Sequence, residues 1–347
     1  MVSCLRTKKE NTLGARKFLL SKNWFDKAYQ IGHSGKYVFL PIIEQAKHKQ
    51  ITNNFPGTIE QRNLEKVEKK IRNLKDALGN ILPLDKIDQI NRGFEAVGDI
   101  AIIEIPPEVE NLETSIAWTL KRIHKNINVV VKKGAKVKGK YRLRRSKVLV
   151  GENRTTTIHK ESGVQIKIDI NKSYFSSKMG AERIRLSKLV KPKENILVMF
   201  SGVGPCGLVL AKQHPTVKVT MVELNPSAVK LAKENIKLNK LEKRVIQIKG
   251  DAKKEVPKLN EKFNRIIMVL PETAHEFLPE ALHVAARNCT IHLYQFEHED
   301  NVKKRTSALK QMVEKLDCKV KSIKPIRSGY FGPKINRYCF DINLDRK

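Results

Sequence analysis

From residue 194 onward the sequence alternates between short apolar, β-branched runs and amphipathic segments, and that order leaves few ways to fold. Strand runs fall near 196–200, 217–222, 244–248, 264–270 and 289–296, with further runs over 319–326 and 336–343. Helical patterns lie between them at about 207–213, 226–238, 274–286 and 301–316. A helix between successive strands brings the chain back to start the next strand in the same direction. A doubly wound, mostly parallel α/β sheet is therefore expected, with any final hairpin antiparallel.

Ligands of such sheets gather outside the carboxyl ends of the strands. Gly202, Gly204 and Gly207 follow the first run, where a tight turn lets backbone N–H groups face a ligand closely. Alone, this turn fits many unrelated proteins, including some with no ligand. Glu223 closes the second run, at the distance from the glycines where an acid bonds ribose hydroxyls in dinucleotide folds. Asp251 closes the third and Val269-Leu-Pro-Glu272 the fourth. Together these ends point to a ligand with a ribose and a base.

The formal charge is +32, from 68 Lys and Arg against 36 Asp and Glu, so a polyanionic partner is expected. Residues 132–147 carry nine Lys or Arg, no acid and one tyrosine, a composition suited to nucleic acid. The five cysteines are scattered and show no metal-binding spacing, which predicts a reducing, cytoplasmic setting, no metal and no disulfide framework. No apolar run approaches membrane-spanning length and no leader is visible, so no membrane partner is expected.

Upstream, residues 1–50 suggest a small α/β domain, with a helix over 11–22 burying Leu13, Phe18 and Leu19 and then a hairpin. Residues 51–79 suggest a charged linker with a helix over 59–77, and residues 80–175 a central α+β, RNA-binding domain. A helix over 180–190, with Ile184, Leu186 and Leu189 as candidate buried positions, opens the last domain, 176–347.

Several segments together resemble one family. They are Phe200-Ser-Gly-Val-Gly-Pro, Glu223-Leu-Asn-Pro, Lys233-Glu-Asn-Ile-Lys-Leu-Asn-Lys, Arg154-Thr-Thr-Thr-Ile-His, Tyr174-Phe-Ser, Glu182-Arg, Ala274-His-Glu-Phe-Leu and Ile291-His-Leu-Tyr. The chain resembles the archaeal and eukaryotic tRNA (guanine-37-N1)-methyltransferases, which are class I (Rossmann-like) and use S-adenosylmethionine. The resemblance extends upstream through Gly98-Asp-Ile-Ala-Ile-Ile-Glu-Ile-Pro and Cys4-Leu-Arg, and so covers nearly the whole chain.

It implies a cofactor site of Phe200, Gly202, Val203, Gly204, Pro205, Glu223, Leu224, Asn225, Asp251, Ala252 and Arg183. It implies Tyr174, Glu182 and Arg142 beside the target guanine, with Lys136, Lys138, Arg144, Arg145 and Pro271 on the RNA. N1 of guanine must lose a proton to attack a methyl carbon, which suits Glu182 as general base; Arg142 would steady the charge developing at O6. Glu182 also suits a helix N-terminus, Tyr174 a core position, and Arg142 a generic phosphate contact. His159 and His292 read as strand residues rather than catalysts. The implied partner is the tRNA anticodon stem-loop, with the elbow left open, and the implied state a monomer.

Two departures bear on activity. Val198 stands where the family usually has an acid, and Val269 where it usually has the asparagine of Asn-Leu-Pro. Cys206 also replaces a usual phenylalanine. The alternatives are another purine or a wyosine precursor at the same position, or a tRNA-binding paralogue with impaired catalysis; aminocarboxypropyl transferases share the fold but match less well.

Overall fold

The computed structural model describes residues 1–66, 74–79, 87, 89–90, 93–135, 141, 143 and 145–346. Met1–Arg72 and Asn73–Lys347 are two compact units. In the first, β1 (Val2–Lys8), α1 (Thr12–Ser21), β2 (Gly32–Ser34), β3 (Tyr37–Pro41), α2 (His48–Asn54) and β4 (Thr58–Arg62) give a sheet ordered β2-β3-β1-β4. Ala15 and Leu19 of α1 pack on Leu5, Val38 and Leu40. Leu13 lies off that face and is 67% exposed, contrary to the sequence expectation.

The segment expected as a helix from residue 59 begins instead as β4, antiparallel to β1 with Cys4 opposite Glu60. Tertiary pairing overrides the helical preference of Glu60 and Gln61 and carries the unit past residue 50. Of the rest of that expected helix, 67–73 lies outside the described residues, while 74–77 falls within a helix at Leu74–Leu78.

The second unit begins with α3 (Leu74–Leu78) and a sheet ordered β5-β6-β7-β8: Glu95–Val97, Ile100–Ile103, Val129–Lys132 and Lys147–Val150. Helix α4 (Glu113–Ile123) joins the parallel pair β6 and β7 and buries Ile116, Ala117 and Leu120 in the same core. A hairpin of β9 (Thr156–Glu161) and β10 (Val164–Asp169) follows. Asp99, in the β5–β6 turn, takes hydrogen bonds from Arg154, Thr157 and Asn128, which pull its carboxyl well below the usual range and tie this sheet to the hairpin.

Helix α5 (Gly180–Leu189) leads into β11 (Asn195–Met199), α6 (Pro205–Gln213), β12 (Lys218–Glu223), α7 (Pro226–Leu238), β13 (Val245–Lys249) and the short α8 (Ala252–Glu255). Then come β14 (Phe263–Met268), α9 (Leu278–His283), β15 (Ala285–His298), α10 (Val302–Glu314), β16 (Cys318–Gly332) and β17 (Ile335–Arg346). The sheet order is β13-β12-β11-β14-β15-β17-β16. β11 to β15 are parallel; β17 is antiparallel to β15, and β16 to β17. The doubly wound sheet and its antiparallel last pair are as the alternation demands. Its two faces carry separate apolar clusters, one containing Val198, Met221 and Tyr294, the other Leu197, Met268 and Phe340.

Helix α5 departs from expectation. Ile184 and Leu189 are 45% and 42% exposed, while Glu182, Arg183, Leu186 and Ser187 are buried. Its inward face is held by ion pairs, so apolar periodicity misreads it. Among the described residues no helix is long and apolar enough to cross a membrane.

Candidate active site

After β11 the chain turns sharply: Phe200 has φ 61°, Gly202 φ 59° and Gly204 φ 87°, the last as the cap of α6 with Pro205 in its first turn. These left-handed values favour glycine at 202 and 204. Val203 is fully buried and its carbonyl accepts from Asn235 Nδ2 at 3.0 Å, which fixes the turn from below. Phe200 packs edge-on against Phe277 with centroids 4.8 Å apart.

At the end of β12, Glu223 accepts from the Gly202 N–H through Oε2 and the Asn225 N–H through Oε1, both at 2.8 Å. Each oxygen keeps a second lone pair, so the carboxylate can accept from two neighbouring hydroxyls without leaving its seat. Asn225 caps α7 through Ser227 N–H and donates to the Lys172 carbonyl. Leu224 beside it is half-buried. Asp251 caps α8 through Lys253 N–H, ahead of the buried Ala252, and Gly250 N–H reaches the Glu223 carbonyl at 3.0 Å.

Segment 172–174 crosses these strand ends. A Cβ on Gly202 would lie 3.4 Å from the Tyr174 carbonyl, which fixes how near Tyr174 comes to the glycine turn. The Tyr174 side chain is 62% exposed and is not a core residue. Just before it, Asn171 exchanges hydrogen bonds with Ser146, securing one end of the basic stretch about the site. Arg142, Lys136, Lys138 and Arg144 lie outside the described residues; Arg145 adjoins Ser146. The ends of that stretch are less single-signed than the sequence suggests. Lys132 pairs with Glu110 and Glu113, Lys133 with Glu104, and Lys147 with Glu113.

Glu182 and Arg183 face different partners. Arg183 is 4% exposed and grips Glu161 bidentately, with Nη2 also on the Ser176 carbonyl. Burial opposes the Glu161 charge, yet His159 and Arg183 together hold its carboxyl below the usual range. Arg183 thus pins the segment after Tyr174 to β9 and commits its guanidinium there, a use the sequence reading did not foresee.

The Glu182 carboxylate receives Tyr294 Oη on Oε1 at 2.6 Å and Arg185 on both oxygens at 2.8 Å. Oε1 is doubly engaged; Oε2 takes a single bond and keeps a lone pair free. Arg185 also reaches Asp341, Nη1 to Oδ2 at 2.6 Å, and His292 Nδ1 lies 2.6 Å from Asp341 Oδ1. His292 Nε2 meets Arg265 Nη1 at 2.6 Å, and Arg265 pairs bidentately with Glu194.

A guanidinium only donates, so His292 Nε2 must accept and its proton sits on Nδ1, donated to Asp341. Burial holds His292 below the ordinary histidine range, in agreement. Burial also works against Asp341 ionising, but His292 and Arg185 hold it well below the usual range. Burial pushes the Tyr294 phenol well up, so it stays a donor. Tyr294, Arg185, His292 and Asp341 were not singled out for roles from sequence; only the i,i+3 spacing of Glu182 and Arg185 hinted at a pair.

His292, Cys339 and Asp341 place ligand-type atoms within 4.8 Å of one another. Both His292 nitrogens are already committed and burial raises the Cys339 thiol far above its ordinary value, so the group reads as a hydrogen-bond network. Val198 is wholly buried in the apolar core, and Val269 packs against the same cluster. Pro271 is half-buried, its carbonyl accepting from Phe296 N–H at 3.0 Å. Burial pushes the Cys206 thiol up to about 12, leaving it unreactive.

A parallel sheet with a glycine turn after its first strand, an acid closing the second and an antiparallel last pair defines a class I methyltransferase fold. Comparison with known proteins narrows this. Residues 157–321 match the TRM5/TYW2 methyltransferase domain, 74–155 the TYW2 N-terminal domain, and 4–50 the tRNA methyltransferase 5 N-terminal domain. The tRNA (guanine(37)-N(1))-methyltransferase Trm5b of Methanocaldococcus jannaschii is 33% identical over 355 aligned positions spanning 100% of both chains. The crystal structure of Trm5b from Pyrococcus abyssi superposes with TM-score 0.76 at 29% identity, covering 99% of this chain and 100% of that one. A complex of aTrm5 with tRNALeu gives TM-score 0.70 at 30% identity over 99% of both chains. The chain belongs to the TRM5/TYW2 methyltransferase family.

Proposed function

We propose that this protein transfers the methyl group of S-adenosylmethionine to N1 of guanosine 37 in tRNA, acting as a cytoplasmic monomer on the anticodon stem-loop. The observation that carries the reading is the seat of Glu182: a buried carboxylate, fixed by three hydrogen bonds, that keeps one Oε2 lone pair open. The cofactor's fit rests on the turn at Gly202–Pro205 and on the two lone pairs Glu223 retains for a ribose diol. Asp251, Ala252, Phe200, Leu224 and Asn225 border the adenosine portion. When bound, S-adenosylmethionine supplies an electrophilic methyl group on a sulfonium.

The protein's own residues do the rest. Tyr174, exposed beside the turn, offers an aromatic face for the target base after it leaves the anticodon stack. Glu182 Oε2 would take the proton from N1, which leaves the N1 lone pair free for the methyl group, whose departure turns the sulfonium into a neutral thioether. Arg185 is not stranded when Glu182 is neutralised, because Asp341 still pairs with it. Arg142 steadies negative charge moving toward O6, and Lys136, Lys138, Arg144 and Arg145 hold RNA phosphates. Pro271 borders the guanine at the end of β14. Residues 80–175 act as the RNA-binding part and 176–347 as the catalytic part. Five free, buried cysteines support a reducing compartment.

The test incubates the protein with labelled S-adenosylmethionine and unmodified tRNA transcripts bearing guanosine or adenosine at position 37. Label on the guanosine transcript alone is expected. Equal transfer to both would overturn the guanine-N1 reading, and tRNA binding with no transfer to either would mark an impaired paralogue.

A further inference from the structure

At the far edge of the sheet, Arg337 of β17 lies opposite Phe296 of β15, and Cys339 lies opposite Tyr294. Residues directly opposite share a face, so Arg337 stands on the Tyr294 face, one step nearer the carboxyl ends of the parallel strands. Tyr294 and Arg185 are the residues that hold Glu182. Arg337 is therefore on the candidate active-site face, about 14 Å across the sheet from β11 and its cofactor turn, at three strand spacings.

Its bonding is unusual for a half-buried cation. Nε donates to Ser328 Oγ at 3.3 Å and Nη2 to the Ser328 carbonyl at 2.7 Å. Among the described residues no carboxylate pairs with it. Burial lowers its affinity for its proton, and the Glu182 carboxylate acts against this. Neighbouring Arg183 and Arg185, by contrast, each have a carboxylate. Gly329 opposite Arg337 makes the space, since a Cβ there would come within 2.7 Å of Nη2.

The hairpin that carries Arg337 ends in two exposed aromatics, Tyr330 at 71% and Phe331 at 55%. Phe331 stacks on Phe296 with centroids 4.1 Å apart and planes inclined by 33°, so the tip folds over the face that bears Arg337. Tyr330 has no ring partner among the described residues. Arg327 and Lys334 flank the pair in sequence. Tyr330 lies opposite Asn336, on the face away from Arg337, so Phe331 is the exposed ring on the cation's face. A fixed cation beside an exposed aromatic is how proteins hold unpaired nucleotides, the cation on phosphate and the ring on a base.

We propose that the β16–β17 hairpin is a second RNA grip, in which Arg337 takes a backbone phosphate at the target nucleotide and Phe331 stacks on an adjacent unpaired base. This rests on the tRNA reading above. It gives the anticodon loop a contact on the edge of the sheet, separate from the basic stretch at 132–147.

The test measures tRNA binding by filter retention across a salt series, without cofactor, and S-adenosylmethionine binding separately. Chemistry is not read, so a wild-type protein that binds tRNA but fails to methylate guanosine 37 counts against the proposed reaction and not against the grip. Arg337→Ala is expected to weaken tRNA binding roughly 10- to 100-fold and to lower the slope of log affinity against log salt by about 0.7–0.9, one phosphate. Arg337→Lys, which keeps the charge, is expected to restore the slope. Phe331→Ala, at an exposed position, is expected to cost about fivefold or more with the slope unchanged. Wild-type tRNA affinity and slope in Arg337→Ala would overturn the proposal. So would a loss confined to S-adenosylmethionine binding, which would assign the cation to the cofactor, or wild-type tRNA binding in Phe331→Ala.

Discussion

At the carboxyl ends of β11 and β12 the candidate site is mainly backbone: a glycine turn, its N–H groups, and a glutamate seated on the N–H groups of Gly202 and Asn225. Across the sheet at β15 and β17 it is side chain, in an unbroken run from Tyr294 and Glu182 through Arg185, Asp341, His292 and Arg265 to Glu194. The backbone part is assembled within about 50 residues of chain, while the side-chain part joins positions up to 156 apart. The first depends on local conformation and tolerates change at its rim. The second confines several charges in a poorly solvated space, where each is stable only while its partners remain.

Substitutions should separate the two, and the largest effect belongs to the side-chain part. Glu182→Gln retains shape and loses the base, so kcat is expected to fall about 10²- to 10⁴-fold with S-adenosylmethionine affinity unchanged. Full turnover in that variant, measured by label transfer to tRNA, would remove Glu182 as the base. Next comes Arg185→Met, which leaves Glu182 and Asp341 facing each other without their shared cation. A loss of about 3–5 kcal/mol in unfolding free energy is expected from denaturant titration. A wild-type midpoint would show that the network contributes little to holding α5.

The backbone part is expected to answer in binding rather than in stability or turnover. Gly204→Ala forces a side chain into φ 87° and brings Cβ within 3.0 Å of Met221 Cε, which is flexible enough to yield. The left-handed conformation alone costs about 1–2 kcal/mol, which the cofactor-free turn sheds by shifting and must restore to seat the cofactor. Calorimetry should find S-adenosylmethionine affinity reduced roughly 5- to 30-fold, with kcat at saturation little changed. Unchanged affinity would mean that the turn does not shape the cofactor seat.

The same division explains what could be seen in the sequence. The order of strands, the glycine turn, Glu223 and Asp251 were legible because each is encoded by a contiguous run of residues at a strand end. Helix α5 was read only in part, with Leu186 inward as expected but Ile184 and Leu189 exposed, because its other buried positions are Glu182, Arg183 and Ser187, and hydrophobic spacing carries no signal for paired charges. The start of the segment expected as a helix from residue 59 is a strand because its partner, β1, lies more than 50 residues away. Arg337 escaped notice for a related reason: only the register of β17 on β15 places it on the Tyr294 face.

The smallest expected effect tests the proton assignment inside the network. His292 is fully buried and neutral, with Nε2 accepting from Arg265 and Nδ1 donating to Asp341. Because burial depresses its folded-state pKa, the unfolded chain takes up a proton near pH 6.5 while the folded protein does not. Stability from this residue is complete above that pH and declines as pH falls toward the folded value, by up to about 1.4 kcal/mol per pH unit. His275, also lowered by burial, adds to the wild-type slope, so the comparison must be made against a variant. His292→Asn offers both a donor and an acceptor without titrating, and its stability should vary less steeply than wild type between about pH 6.5 and 5.5. Asp341 does not interfere in this window, because its depressed pKa keeps its contribution until pH falls below about 4. Equal slopes for wild type and variant would place a charge on His292 in the folded protein, and the chain of donors from Glu194 to Glu182 would then have to be redrawn.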